Sequence, residues 1–330
     1  MNAKKNGCLI VSLDFELFWG VTDSRTIEKY GPDILEGRKA IPRLLKLFDK
    51  YGVHATWGTV GMLFAENKEE LAGFFPEKKP NYDNPRLSAY KHFETIGDNE
   101  EKDMLHYAPS VIKEITKYSN QEIGSHTFCH YYCREKGQTY EDFEADTKSA
   151  KRIAEEKFDI DIKSFIFPRN LYNSEYLNAL KKNNIFAVRG NQNHFAYDEN
   201  TKLSRLVRLM DTYIPVCGLK SYSREGCYQD GIVNLKSSIF LRKQNKLLSF
   251  LEPLKMYNIK CLMKAAAKKG KIIHIWWHPH NMGENPDAFL AQVEELLKYY
   301  KELNGKFGFE SRNMGEMAEE IINEKDSYVM

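Results

Sequence analysis

Strand-length apolar runs and helix-length amphipathic runs alternate along most of this 330-residue chain, and nothing else in it restricts the fold so tightly. CLIVSLDFEL, residues 8–17, is a continuous apolar run closed by carboxylates, as expected of a strand buried on both faces. In residues 36–51, Ile41, Leu44, Leu45 and Phe48 recur at helical spacing, and Gly52 follows where a left-handed cap is needed. VHATWGTVGML, EIGSH, IKSFIFP and IFAVRG predict four further strands. The helices between them are APSVIKEITKY with Pro109 near its start, TYEDFEADTKSAKRIAEEKF opened by Thr139, and SEYLNALKKNN opened by Ser174. A helix near 253–269, the strand KIIHIWW, a helix over 286–303 and GFESRNMGEMAEEI complete the series. Residues 191–252 show no clear period. The polar stretch 66–103 reads as an inserted loop, with limits near 64 and 108.

Repeated strand–helix units imply a mainly parallel α/β sheet, either open or closed into a barrel. No domain boundary is visible, so 1–330 reads as a single catalytic domain. The chain has 48 basic and 46 acidic residues, net +2, a balance that does not point to nucleic acid. No apolar run approaches the roughly 20 residues of a membrane span. The apolar start is broken by Asp14 and Glu16 and reads as a strand rather than a signal, so a cytoplasmic protein is expected. The six cysteines have no framework spacing and read as free thiols. A mixed Cys/His zinc site using Cys129 and Cys133 is an alternative.

In parallel α/β folds the functional groups gather at the C-terminal ends of strands. Asp14, Glu16, His126, Arg169 and His278 all fall at or just after such ends. Asp14 and Glu16, two apart on a strand, share one face, and two buried carboxylates need a partner or a cation. His126 and His130 are four apart, so one helical turn would aim them alike. Two imidazoles and a carboxylate make a hydrolytic divalent-metal set, although surface histidines and solvated acids are the plainer reading of each pair alone. His278 leaves an aromatic strand at what would be a pocket mouth, where it suits proton donation. By alternation His274, Trp276 and His278 share a face and Trp277 takes the other; His274 reads as a satisfied interior histidine.

SLDFE, ATWGTVG, HTFCH, FPRN and WWHPH, in this order, resemble the polysaccharide deacetylases, the metal-dependent superfamily of carbohydrate esterase family four. The likeness runs from about residue 8 to residue 318 and is nearest to members acting in bacterial surface-polysaccharide biosynthesis. It implies a distorted, incomplete (β/α) barrel of about seven parallel strands and a divalent cation, expected to be zinc, held by Glu16, His126 and His130. It also implies Asp14 as general base, Arg169 orienting it, and His278 as general acid. Trp19, Asn170, Arg189, Trp277 and His280 are the expected substrate contacts. The usual adjacent aspartates are replaced by Asp14-Phe15-Glu16, so the two acids' roles stand open to exchange. Asn170 replaces the usual Tyr after the Arg, and Arg189-Gly190 stands for a further motif. The implied reaction is hydrolysis of an N-acetyl group on a sugar or carrier-linked glycan. The alternatives are hydrolysis of a cyclic amide or ureide on the same scaffold, and a non-catalytic glycan-binding protein; the aromatics Phe18, Trp19, Trp57, Trp276 and Trp277 suit either kind of pocket.

Overall fold

The computed structural model describes residues 5–192, 194–198, 201–218 and 220–329. Ten strands form one curled sheet: β1 (Cys8–Phe15), β2 (Ala55–Thr59), β3 (Gln121–Ser125), β4 (Ser164–Ile166), β5 (Ala187–Arg189), β6 (Tyr228–Gln229), β7 (Ile232–Asn234), β8 (Ile239–Phe240), β9 (Ile272–Trp277) and β10 (Glu310–Arg312). Their order is β6-β7-β5-β4-β3-β2-β1-β9-β8, with β10 beside β1. β6 runs antiparallel to β7, and the other strand ladders among the described residues are parallel. The result is the incomplete (β/α) barrel that the alternation and the family resemblance imply.

β1 lies inside the sheet, between β2 and β9, and its eight residues are all buried. Val11–Phe15 pair with β2 while Cys8–Leu13 pair with β9. Ile41, Leu44, Leu45 and Phe48 are fully buried on the inner side of the helix Ile27–Tyr51, which Gly52 ends at φ 59°. The helix starts nine residues before the predicted 36 and continues through Pro32 and Pro42. At Gly37 it meets the turn after β9 so closely that a Cβ there would lie 2.6 Å from the Pro279 carbonyl oxygen. Thr139 caps the helix Tyr140–Phe158 in a reciprocal capping box with Asp142.

The sheet has more strands than the seven or so expected. β6, β7 and β8 all lie in the unread stretch 191–252, as does the helix Lys202–Tyr213. Strands of two or three residues are too short to display a period. The same stretch seals the barrel's seam. Leu235 and Ser237 donate backbone N–H groups to Val188 and Gly190, on the β5 side, at 2.8 Å each. A few residues on, Ser238 and Leu241 donate to His274 and Trp276 of β9, at 2.8 and 2.9 Å.

Residues 64–108 contain the helix Lys68–Gly73 and the short turns Pro85–Leu87 and Ala89–His92. Tyr82 brings this segment to the functional end of the barrel, where its hydroxyl accepts from the Tyr132 N–H at 2.9 Å. No helix among the described residues is long and apolar enough to cross a membrane.

Candidate active site

The segments that follow β1 and β3 converge over the C-terminal mouth of the barrel. Glu16 follows β1, and Leu17 turns the chain away with a left-handed φ of 46°. His126 follows β3 directly, and His130 comes four residues later. The helical turn expected for that pair is absent: Thr127 and His130 take φ values of 67° and 57°, and these reversals bring the two rings together. Such a conformation is costly for a β-branched residue and needs support. Support comes from Asp146, whose carboxylate accepts from the N–H groups of Phe128 and Cys129 at 2.7 and 3.1 Å. The Gly61 N–H also holds the Thr127 carbonyl, at 2.9 Å.

Oε2 of Glu16 lies 3.3 Å from Nε2 of His126 and 3.1 Å from Nε2 of His130. All three side chains are buried. Nδ1 of His126 is 2.9 Å from the Ile166 carbonyl, which can only accept, so the ring proton sits on Nδ1 and the Nε2 lone pair faces Glu16. That buried Nε2 has no hydrogen-bond partner. Nδ1 of His130 is likewise tied, to the Tyr132 hydroxyl at 3.1 Å. Burial pushes the His130 pKa down despite Glu16, so its ring favours the neutral, ligating form. Burial alone would raise the Glu16 pKa, but the charge of His278 and the His126 and His130 contacts pull it well below the ordinary range. Anchored Nδ1 atoms, converging Nε2 atoms and an ionised carboxylate form a donor set that fits a divalent cation. Glu16 also groups with His278 and His280; the orphaned ring nitrogen there is Nδ1 of His278, whereas in the first set the orphaned Nε2 of His126 is held from behind through the Ile166 carbonyl. Gly20 keeps this geometry open, because a Cβ there would fall 2.0 Å from the Glu16 carboxyl carbon.

Asp14 stands beside the cluster in a bidentate pair with Arg189, whose Nη1 and Nη2 donate to Oδ1 and Oδ2 at 2.6 and 2.7 Å. Burial would raise its pKa, but the charges of Arg189, His126 and His278 hold it below the ordinary value. Nε2 of His278 is 3.7 Å from both Asp14 Oδ2 and Glu16 Oε1. The His280 ring stacks on His278 at 4.7 Å and is kept neutral, its pKa lowered to about 3 by burial and the charge of His278. A cavity of about 510 Å³ opens from these groups toward residues 191–262.

Several solved structures share this architecture. A polysaccharide-deacetylase-type protein from Mycobacterium smegmatis superposes with a TM-score of 0.62 at 14% identity, over 98% of this chain and 93% of that one. Puue allantoinase gives 0.54 at 12%, over 97% and 91%. A polysaccharide-deacetylase-type protein from Pseudomonas aeruginosa PAO1 gives 0.53 at 12%, over 95% and 89%. At such identities the likeness speaks for the fold alone. No curated protein matches the sequence. The family model described as polysaccharide deacetylase matches residues 30–188. That match spans just under half of the chain and marks the segment as similar to polysaccharide deacetylases.

The matched segment holds His126, His130 and Arg169, while Asp14, Glu16, Arg189 and His278 lie outside it. The structure brings together Asp14, Glu16, His126, His130, Asn170, Arg189, His278 and His280. Three expected residues make other contacts: Arg169 lines the cavity with a different partner, and Trp19 and Trp277 lie in the core. Arg169 does not reach Asp14; in a left-handed turn at φ 57°, it pairs with Asp23 and lies over the Tyr132 ring at 4.3 Å. The guanidinium on Asp14 is that of Arg189, carried by the sheet's curvature from β5 across the mouth, with Asn170 Oδ1 accepting from its Nε and Nη2 at 3.1 and 2.7 Å. Trp19 is core, its Nε1 donating to the His106 carbonyl at 2.8 Å. Trp277 packs against Phe48 and Phe289 on the helix side. Its neighbour Trp276 lines the cavity and lies over Arg189 at 4.3 Å, as strand alternation dictates. His274 is interior, with Nδ1 toward the Leu235 carbonyl and Nε2 toward the Ser12 hydroxyl at 3.1 and 2.8 Å. All six cysteines are free. Cys133 donates its thiol to the Leu171 carbonyl at 3.0 Å, and neither it nor Cys129 joins a ligand group among the described residues. Gly20, Asp146 and Tyr132 carry no signal in the sequence, whereas alternation already sets Trp276 on the His278 face.

Proposed function

We propose that this chain removes the N-acetyl group from an acetamido sugar, using a divalent cation, expected to be zinc, held by Glu16, His126 and His130. The observation that carries the reading is one carboxylate oxygen facing two fixed imidazole nitrogens beside an arginine-clamped second carboxylate. A cation bound there supplies Lewis acidity toward the amide carbonyl and the attacking water. Asp14, kept ionised by Arg189, is placed to take the proton of that water. Its bidentate contact also fixes the carboxylate's direction. His278, on the far side of Glu16 from the histidine pair, is placed to protonate the departing amine, without which the C–N bond breaks slowly. Trp276 offers a face for the sugar ring. A cavity of about 510 Å³ falls in the range that encloses drug-sized ligands, which favours a sugar unit over a small cyclic amide. The reading includes a cytoplasmic location and a carrier-linked precursor of a surface polysaccharide.

Metal analysis paired with acetate release from a panel of N-acetylated sugars tests it. Asp14→Asn should keep the metal and lose about 10²–10⁴-fold in kcat. His126→Ala should lose both metal and turnover. Stoichiometric metal in His126→Ala, or near-normal turnover in Asp14→Asn, refutes the assignment. Sugar binding without metal or acetate release in the unaltered protein would leave a glycan-binding relative instead.

A further inference from the structure

The far half of the cavity carries a positive group that the chemistry above does not use. Arg242 lines the cavity, and its Nε donates to the Thr212 hydroxyl at 3.0 Å. Among the described residues no carboxylate pairs with it and its two terminal nitrogens make no hydrogen bond; its guanidinium lies 5.2 Å from the Phe240 ring centroid. The other cations of this wall are engaged: Lys220 with Asp211, and Lys255 with Glu252. Arg208 lines the same wall, close enough that its charge helps lower the Arg242 pKa, after burial. A half-buried guanidinium with open donors, crowded by a second one, calls for an anion, and phosphate is the ligand its fork matches.

The outer surface of this wall is apolar. Ten of the twelve exposed large hydrophobic side chains among the described residues lie between Phe195 and Tyr257. In the helix Lys202–Tyr213, Leu203, Leu206 and Met210 form an exposed stripe, while Arg208, Asp211 and Thr212 face the cavity. In the next wall element Phe250, Leu254 and Tyr257 repeat that stripe, with Leu247 86% exposed, while Lys255, Asn258 and Ile259 face inward. Surface apolar residues are usually scattered, and clustering of this kind marks contact with a membrane or another protein.

Resting on the deacetylase reading, we propose that the acetylated sugar is carried by a lipid phosphate and that the apolar faces around Leu206 and Phe250 dock on the membrane that presents it. A nucleotide carrier would satisfy Arg242 and leave both stripes bare. A second copy of the chain would cover the stripes and leave Arg242 bare. A phosphate on a lipid tail answers both at one place, cation inside and apolar rim outside.

Co-sedimentation of the full chain with three kinds of vesicle tests the proposal: phosphatidylcholine alone, phosphatidylcholine with phosphatidylglycerol, and phosphatidylcholine with a polyprenyl phosphate. Binding should be strongest to the third. Leu206→Glu/Phe250→Glu should lower it at least about tenfold on all three, with circular dichroism melting retained. Arg242→Gln should abolish the preference for polyprenyl phosphate, and Arg242→Lys should restore part of it. Sedimentation with none of the vesicles overturns the proposal, and so does equal binding to all three. Uridine diphosphate binding that needs Arg242, without vesicle binding, overturns it in favour of a nucleotide carrier. A dimer dissociated by Leu206→Glu/Phe250→Glu overturns it in favour of self-association. Sedimentation does not require turnover, so Asp14→Asn should still bind. Failure on vesicles with acetate release intact removes only the carrier; vesicle binding without acetate release from any sugar removes only the deacetylase reading.

Discussion

Asp14 is buried, and a buried carboxylate stays ionised only while an opposite charge compensates its lost hydration. Arg189 supplies that charge with two parallel hydrogen bonds. Replacing it by Met leaves burial unopposed on that side, so the Asp14 pKa rises and this proposed base is protonated at higher pH. The acidic limb of the pH–rate profile should therefore move upward by about 1–3 pH units, read from kcat/KM against pH. A limb that stays in place would mean that Asp14 is not the base. At this scale the sequence displayed the chemistry-bearing types, because the acids and imidazoles stand at strand ends. It did not display which arginine meets Asp14. That depends on a left-handed φ at Arg169, which sends its side chain to Asp23, and on curvature across the strands from β5 to β1, neither of which leaves a local pattern. Trp277 shows the opposite case. Alternation placed it opposite Trp276, and the motif drew it into the site against that period.

The loop from His126 to Tyr132 is the element on which the Glu16–His126–His130 group turns. Its spacing mimics a helix, yet its geometry comes from two reversals clamped by Asp146 from the helix Tyr140–Phe158. Burial raises the Asp146 carboxyl from 3.8 to about 6. A folded pKa above the unfolded one means that the fold holds the proton more tightly, so this contribution to stability is full below 3.8 and lost as pH rises through about 6. Asp146→Asn should flatten the stability curve across that interval in thermal melts. It should also cost about 1–3 kcal/mol, because an amide cannot accept both N–H groups as the carboxylate does. A curve that keeps its slope would place the titration elsewhere. The strands and long helices were legible from period and caps, whereas β6 to β8 and the helix Lys202–Tyr213 were not. Their stretch mixes short strands, cavity-facing cations and an outward apolar face, so neither a period of two nor a helix with a dry side toward the core stands out.

Across the whole molecule, Glu16 follows β1 and the two histidines follow β3, on the other side of β2, so a bound cation would tie elements distant in sequence. A ligand that binds only the folded chain stabilises it by mass action, about 2.7 kcal/mol at a hundred times its dissociation constant. Stripping the metal with a chelator should therefore lower Tm by several degrees, with recovery on adding zinc, in a scan by differential scanning calorimetry. Glu16→Gln should melt low with or without chelator. The reacting groups hang from β1, β3, β5 and β9, whereas the cavity's distant wall and the closure between β5 and β9 belong to one continuous stretch. On the proposed function, cleavage and choice of target are thus wired through separate parts of the chain. Relatives could exchange this stretch like a cassette, acquiring a new clientele while the hydrolytic centre is inherited untouched.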